Sequence, residues 1–311
     1  MGHDTFRVGD LTAVIGDNSA DGTQRAGYNG LWSLRHTPSG SPSRGRDSTP
    51  SGSPSRGRET RSIFVPGIAG LNHEHIFDGE TDDKTVEVFF EPRHAPMTFR
   101  KISDREAELH QPPTQTFQLE SWTRFKLAEP HFIDMHYRCT AHQHVFKRGY
   151  IGLFWASYID APEDKSMYFV SSMSGGKAVW EQLCTQRHND ESTVRHRDDK
   201  FELTVRKENR ESLFRNYSPF RFDLPLFYGN FEDHVWVVMF DRTEGVRLTH
   251  SPSGGGFNAA RGSSNPAWDF QYIIPNYEVM KTYEFRLRAA FRPKCSRDEV
   301  LAMYRAWTGK A

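Results

Sequence analysis

Between positions 282 and 291 the chain reads TYEFRLRAAF, and its polarity alternates. Tyr283, Phe285, Leu287, Ala289 and Phe291 fall on one side of an extended chain, with Glu284, Arg286 and Arg288 on the other. A period of two is the mark of a strand with one buried face. Strand-like patterning recurs in TVEVFFEP (85–92), FQLESWTRFKL (117–127) and HFIDMHYRCT (131–140). GYIGLFWASYI (149–159) and VWVVMF (235–240) are almost continuously apolar, as expected of strands covered on both faces. Helical signals are few. Ser296 and Glu299 form a capping box ahead of Val300, Leu301, Tyr304 and Trp307, which predicts a C-terminal helix over 296–308. A second short helix is expected over 176–185. Many strands and few helices predict an all-β chain: a large antiparallel β-sandwich or supersandwich, one domain over residues 1–311.

Composition narrows the partners. Forty basic and forty acidic residues give a formal net charge of zero, so neither nucleic acid nor an anionic membrane is an expected partner. The aromatic share of 13% fills a large core and leaves rings for a binding surface. No 18-residue apolar run is present, and MGHDTFRVGDLTAVIGDN lacks the basic and apolar regions of a secretory signal. A cytoplasmic protein is therefore expected. Cys139, Cys184 and Cys295 are widely spaced and form no CxxC, which argues against disulfide scaffolding and a cysteine-based zinc site. Cys139 sits in a strand pattern and reads as a buried thiol. TPSGSPSRGRDS is followed at once by TPSGSPSRGRET. This duplicated stretch at 37–60 cannot bury a core and is expected to be a flexible surface insertion.

The stretch EPHFIDMHYRCTAHQHVF (129–146) holds four of the fourteen histidines. With Ala128, Glu129 and Pro130 as a hairpin loop, Leu127 pairs with His131. That sets Arg124 opposite Asp134, Trp122 opposite His136 and Glu120 opposite Arg138. Leu119, Phe125, Leu127, Ile133, Met135, Tyr137 and Cys139 then form the core face. Strand parity separates His131 from His136. His142 and His144 share a face, yet no carboxylate follows at close spacing to complete a metal set, so no metal ligands are assigned. The polar face of Glu120, Trp122, Arg124, Asp134, His136 and Arg138 has two readings. It is a solvated salt-bridge ladder, or it holds a polyhydroxylated ligand, with the indole against a sugar ring and His136 and Glu120 as acid and base.

Two further clusters flank this hairpin. GLNHEHIFDGE (70–80) gathers His73, Glu74, His75 and Asp78, with the two histidines expected on one strand face and Glu74 on the other. FEPRHAPM (90–97) presents Glu91, Arg93 and His94 around two prolines, as loops at sheet ends do. THSPSGGGFNAARGSSNPAWDF (249–270) reads as a long loop without the ending of a phosphate-binding loop. As a rim or lid it would set His250, Asn265, Trp268 and Asp269 around a pocket.

The Gly-Leu-Asn-x-Glu-His run at 70–75, the Glu-Pro-Arg segment at 91–93, the long hairpins and Asn-Pro-Ala-Trp-Asp-Phe at 265–270 resemble the galactose-mutarotase-like, aldose-epimerase-related β-supersandwich proteins. Bacterial proteins of similar length look alike too. The resemblance spans 67–293. It implies carbohydrate binding on a concave sheet face, with a histidine acid and a glutamate base and no cofactor. The expected function is a carbohydrate-active protein, an epimerase, lyase or hydrolase. Its expected catalytic residues are His136, Glu120 and His75, with Trp122, Arg124, Arg93, Asp134, His250, Trp268 and Asp269 against the sugar. Two alternatives stand: a non-catalytic carbohydrate-binding or assembly module, and a metal-dependent β-barrel enzyme using His142 and His144.

Overall fold

A computed structural model of the chain describes residues 2–38, 59–80, 86–172, 176–187, 190–206 and 213–309. Three sheets carry the architecture. β1 (His3–Val8), β2 (Leu11–Gly16) and β3 (Gly30–His36) form a small antiparallel sheet. The second sheet has six strands, in spatial order β13 (Tyr217–Phe222), β12 (Thr193–His196), β16 (Val246–Ser251), β19 (Ala267–Pro275), β9 (Tyr150–Ala156) and β4 (Asn72–Phe77). The third has nine: β11 (Val179–Leu183), β10 (Met167–Ser171), β14 (Leu226–Phe231), β15 (His234–Phe240), β20 (Thr282–Pro293), β8 (Phe132–Ala141), β7 (Leu119–Ala128), β6 (Glu106–Gln111) and β5 (Thr98–Ser103). A short ribbon joins β17 (Phe257–Asn258) to β18 (Ser263–Ser264). Every ladder is antiparallel except β12 with β13.

The six- and nine-stranded sheets face each other. Ile151, Leu153 and Trp155 of β9 and Trp268, Phe270 and Tyr272 of β19 share one core with Phe125 and Leu127 of β7, Ile133, Met135 and Tyr137 of β8, and Phe285 and Leu287 of β20. The alternation that defined these strands is thus the alternation between the interior and the two outer faces. β9 and β15 are buried along their whole length, as their continuous apolar runs require. Gly229 on β14 lies against the ring of Trp268, where an added Cβ would stand 2.3 Å from the indole. Only a residue without a side chain lets the two sheets approach this closely. Cys139 is fully buried, and burial pushes its thiol up to about 12.

α3 (Arg297–Thr308) begins at the expected capping box, with Ser296 Oγ accepting from Glu299 N. Val300 and Tyr304 bury its apolar face against Leu226, Val235, Val237 and Met239, so the helix covers part of the outer face of the nine-stranded sheet. Of the duplicated segment at 37–60, positions 39–58 lie outside the described residues. Its two ends meet. Thr60 N donates to His36 O at 2.9 Å, His36 N to Thr60 Oγ1 at 2.9 Å, and Ile63 N to Leu34 O at 3.0 Å.

Four local expectations change. The hairpin pairs Ala128 with Phe132 and Leu127 with Ile133, two residues away from the expected register. A shift of two preserves the faces but exchanges the neighbours. Residues 86–94 form two helical turns, α1 (Val86–Phe89) and α2 (Glu91–His94), instead of a strand and a loop. The helical turn lets consecutive Phe89 and Phe90 both reach His75, at ring distances of 4.2 and 4.4 Å, whereas strand neighbours point to opposite faces. Residues 179–183 are the edge strand β11, paired with β10 from Leu183 to Val179, in place of the expected helix. Finally, half of the 249–270 segment is paired chain: β16 runs to Ser251, β17 and β18 form the short ribbon, and β19 starts at Ala267.

Candidate functional site

The polar face of the hairpin lies on the outer side of the nine-stranded sheet, and its charges are engaged by cross-strand neighbours. His110, Trp122, Arg138 and Glu284 form one row across four strands; Glu108, Arg124, His136 and Arg286 form the next. Glu120 accepts from His110 Nε2 and His142 Nε2, both at 2.8 Å. Trp122 stacks on His110 with ring centroids 5.1 Å apart and takes the Arg138 guanidinium at 5.3 Å. Arg124 meets Glu106 at 3.2 Å, and Asp134 takes two bonds from Arg288 at 2.6 and 2.8 Å. His136 Nε2 donates to Glu284 at 2.9 Å, a bond that leads in holding the Glu284 carboxyl below its ordinary value. Glu120 and His136 do not touch. The geometry is an alternating charge ladder, each pair of which contributes little on an exposed face.

The two histidines of the 142–144 pair diverge. His142 serves Glu120, while His144 Nδ1 accepts from Tyr277 OH at 3.0 Å. Among the described residues no three His, Cys, Asp or Glu side chains are grouped to hold a metal ion. His250 and Trp268 are buried, where the expected rim needed them open. His250 Nε2 and Trp268 Nε1 both donate to Lys165 O, at 2.8 and 2.9 Å. Thr185 Oγ1 meets His250 Nδ1 at 2.8 Å, and burial pushes the imidazole down to about 4.

His75, Arg93 and Asp269 lie elsewhere, on the outer face of the six-stranded sheet, so they do not rim the hairpin. A β-bulge brings them into play. On β4, His73 pairs with Trp155 and His75 with Phe154, leaving Glu74 as the extra residue. The bulge breaks the expected parity: His73 turns into the core against Trp155, while His75 follows Phe154 outward. Asn29 secures this distorted edge. Its backbone N donates to Asn72 Oδ1, its Oδ1 accepts from His73 N, and its Nδ2 donates to His73 O, all within 3.1 Å.

Glu74 is the centre of the cluster. Tyr158 OH lies 2.6 and 2.8 Å from its two oxygens, Arg93 Nη1 is 3.2 Å from Oε1, and His75 Nε2 is 3.3 Å from Oε2. Burial opposes its charge, but His75, Arg93 and Tyr158 together outweigh burial and hold the carboxyl below its ordinary value. Arg93 is itself placed by Gly27, whose carbonyl accepts from Nε at 2.8 Å, and by the Tyr28 ring 4.0 Å from its guanidinium carbon. Gly27 carries its carbonyl there at a φ of 87°, a conformation that glycine adopts without strain. His75 Nδ1 donates to Phe89 O at 2.8 Å, which fixes the ring and turns Nε2 toward Glu74.

The second carboxyl group has the opposite character. Asp269 on β19 accepts from Ser157 N at 2.9 Å through Oδ1, and Oδ2 has no partner among the described residues. Burial, with the Glu74 charge as a further contribution, pushes this carboxyl well above its ordinary value. The two acids flank one strand. β4 and β19 pair with opposite edges of β9, Asn72 opposite Ala156 on one side and Phe270, next to Asp269, opposite Trp155 on the other. Adjacent strands are about 4.8 Å apart, so two spacings separate the acids' strands. Glu74 and Asp269 are each 3% exposed. Tyr158 was not among the residues expected at a site, and Glu74 was named only within the His73–Asp78 cluster, without a role of its own. Glu74 stood beside His75 in the sequence, but the bulge that turns it leaves no mark in hydrophobic periodicity.

No protein-family model matches the sequence, and no curated protein matches it. Solved structures do match in fold. A putative aldose 1-epimerase from Escherichia coli K12 aligns with a TM-score of 0.50 over 94% of this chain and 99% of that one, at 9% identity. The fold is that of the aldose-epimerase-like β-sandwiches. A protein from Synechocystis sp. PCC 6803 aligns equally well, with a TM-score of 0.50, 8% identity and 94% and 96% of the two chains covered. In this epimerase-like fold of the present chain, the Glu74 and Asp269 cluster occupies the outer face of the six-stranded sheet. No helix among the described residues is long and apolar enough to cross a membrane.

Proposed function

We propose that the chain is a carbohydrate-active enzyme that binds a sugar at the Glu74, His75, Arg93, Tyr158 and Asp269 cluster and interconverts its anomers. One observation carries this reading: two buried carboxyl groups lie on the strands that flank β9, Glu74 held below its ordinary value by His75, Arg93 and Tyr158 and Asp269 pushed above its own by burial. A carboxyl group that favours ionisation beside a second that keeps its proton is what paired base and acid chemistry requires. Glu74 takes the proton of the anomeric hydroxyl while Asp269 gives its proton to the ring oxygen. The bond between the anomeric carbon and the ring oxygen then breaks, leaving the open-chain aldehyde. Rotation about the adjacent carbon–carbon bond and reclosure return both protons with the opposite anomer formed. Tyr158, Arg93 and His75 keep Glu74 ionised through the cycle. The fold shared with a putative aldose 1-epimerase supports the assignment.

The test is anomer interconversion followed by proton NMR saturation transfer across a panel of aldoses and uronates. Glu74→Gln and Asp269→Asn should each lower the rate by about a hundredfold or more. Saturable sugar binding without acceleration in the parent would overturn catalysis and leave a binding module. Equal rates in the parent and both variants would overturn the residue assignment.

A further inference from the structure

The same outer face carries a second, cationic feature. The register places His75, Phe154, Gln271, Arg247, Arg195 and Arg221 in one row across all six strands. Three arginines therefore stand side by side on β16, β12 and β13. Arg247 is fully buried and paired with Asp199 at 2.8 Å, with further bonds to Phe201 O and Tyr217 OH. Arg195 lies 3.8 Å above the Tyr217 ring and bonds Glu202 at 2.5 Å. Among the described residues Arg221 donates to two backbone carbonyls, His196 O at 3.5 Å and Asp199 O at 3.1 Å. Among these same residues three guanidinium groups face the carboxylates of Asp199 and Glu202, and Arg195 Nε is buried without a partner. Glu202 is the weak member of the set, because its side chain is 66% exposed. An exposed carboxylate on a flexible stem is readily exchanged for another anion.

We propose that Arg195 and Arg221 form an anion subsite that takes the carboxylate of an acidic sugar in place of Glu202. This deepens the sugar-binding reading above and rests on it: the substrate would be an acidic oligosaccharide. The distance sets the length. Arg195 lies two strands from Gln271, about 10 Å at 4.8 Å per strand, so the acidic unit is a neighbour of the sugar at Glu74 and Asp269. Gln271, Thr249 and Thr193 lie between, joined by bonds of 3.1 Å from Gln271 Nε2 to both threonine hydroxyls. Gln271 Oε1 is buried without a partner among the described residues. Arginine suits this task because its planar fork receives a carboxylate through two parallel bonds.

Calorimetric titration with digalacturonate tests the subsite, with cellobiose as the uncharged control and inorganic sulfate as the bare anion. Glu202→Gln, at an exposed position, should tighten digalacturonate binding by about threefold to tenfold, since it removes the competing carboxylate. Arg221→Gln should weaken binding by about tenfold. A purely structural role would not give opposite signs. Equal affinities in the parent and both variants would overturn the subsite, as would cellobiose binding as tightly as digalacturonate. Sulfate binding as tightly as digalacturonate would overturn the sugar assignment. Digalacturonate binding without anomer interconversion in the parent would overturn the catalytic reading alone, whereas anomer interconversion with no preference for digalacturonate over cellobiose would overturn the subsite alone.

Discussion

Replacing His73 with phenylalanine should remove a large share of the protein's acid sensitivity. The imidazole lies fully buried between the sheets, stacked on Trp155 at 4.9 Å and edged by Tyr137 at 5.4 Å. Neither ring nitrogen has a partner among the described residues. Burial, with the charge of neighbouring His75 second, pushes it from 6.5 down to about 3. The folded chain therefore keeps His73 neutral at pH values where the unfolded chain protonates it. Because the unfolded state binds more protons between those two values, stability is full above pH 6.5 and falls as the pH drops toward 3. At pH 5 the unfolded residue is about 1.5 pH units below its own pKa, which costs about 2 kcal/mol at 1.36 kcal/mol per unit. The assay is urea unfolding followed by tryptophan fluorescence at pH 7.5 and pH 5.0, for the parent and His73→Phe. Packing differences between the rings are the same at both pH values and drop out of the comparison. The parent should lose about 2 kcal/mol more than the variant between the two pH values. Identical losses would refute the account of His73 as a neutral core residue.

The anomer-interconversion losses at Glu74 and Asp269, and the opposite affinity changes at Glu202 and Arg221, are two further predictions. Gly229→Ala should destabilise the chain by about 1–3 kcal/mol in the same urea assay, because its methyl group would overlap the Trp268 indole. Glu120→Gln and His136→Asn should each change stability by less than about 1 kcal/mol and leave anomer interconversion within about twofold of the parent, since both residues belong to an exposed ladder. A hundredfold rate loss in either would return the chemistry to the hairpin.

Much of the fold is written in local pattern. Parity alone placed Phe125, Ile133, Met135 and Tyr137 in the core, and it did so despite a register wrong by two, because an even shift keeps every face. The capping box at Ser296 and Glu299 was legible for the same reason: its geometry involves residues three apart. The site was less legible. It depends on β4 and β19 flanking β9, and on Tyr158 and Ser157 meeting Glu74 and Asp269 across long stretches of chain. It also depends on a single extra residue in β4, which inverts the faces of His73 and His75 without altering composition. The Phe89–Phe90 turn was hidden by β-branched neighbours that read as a strand. His250 and Trp268 looked like a rim because the glycine-rich stretch between them suggested a loop, whereas both sit in strands that face the interior.

The bonds between His36 and Thr60 and between Leu34 and Ile63 have a consequence for how this chain can change. They fasten the two ends of the duplicated segment to each other before that segment contributes anything. What lies between such ends is a closed loop, and lengthening a closed loop twofold costs only about 0.6 kcal/mol. A change of chain length between these two anchors therefore costs the fold little in closure entropy.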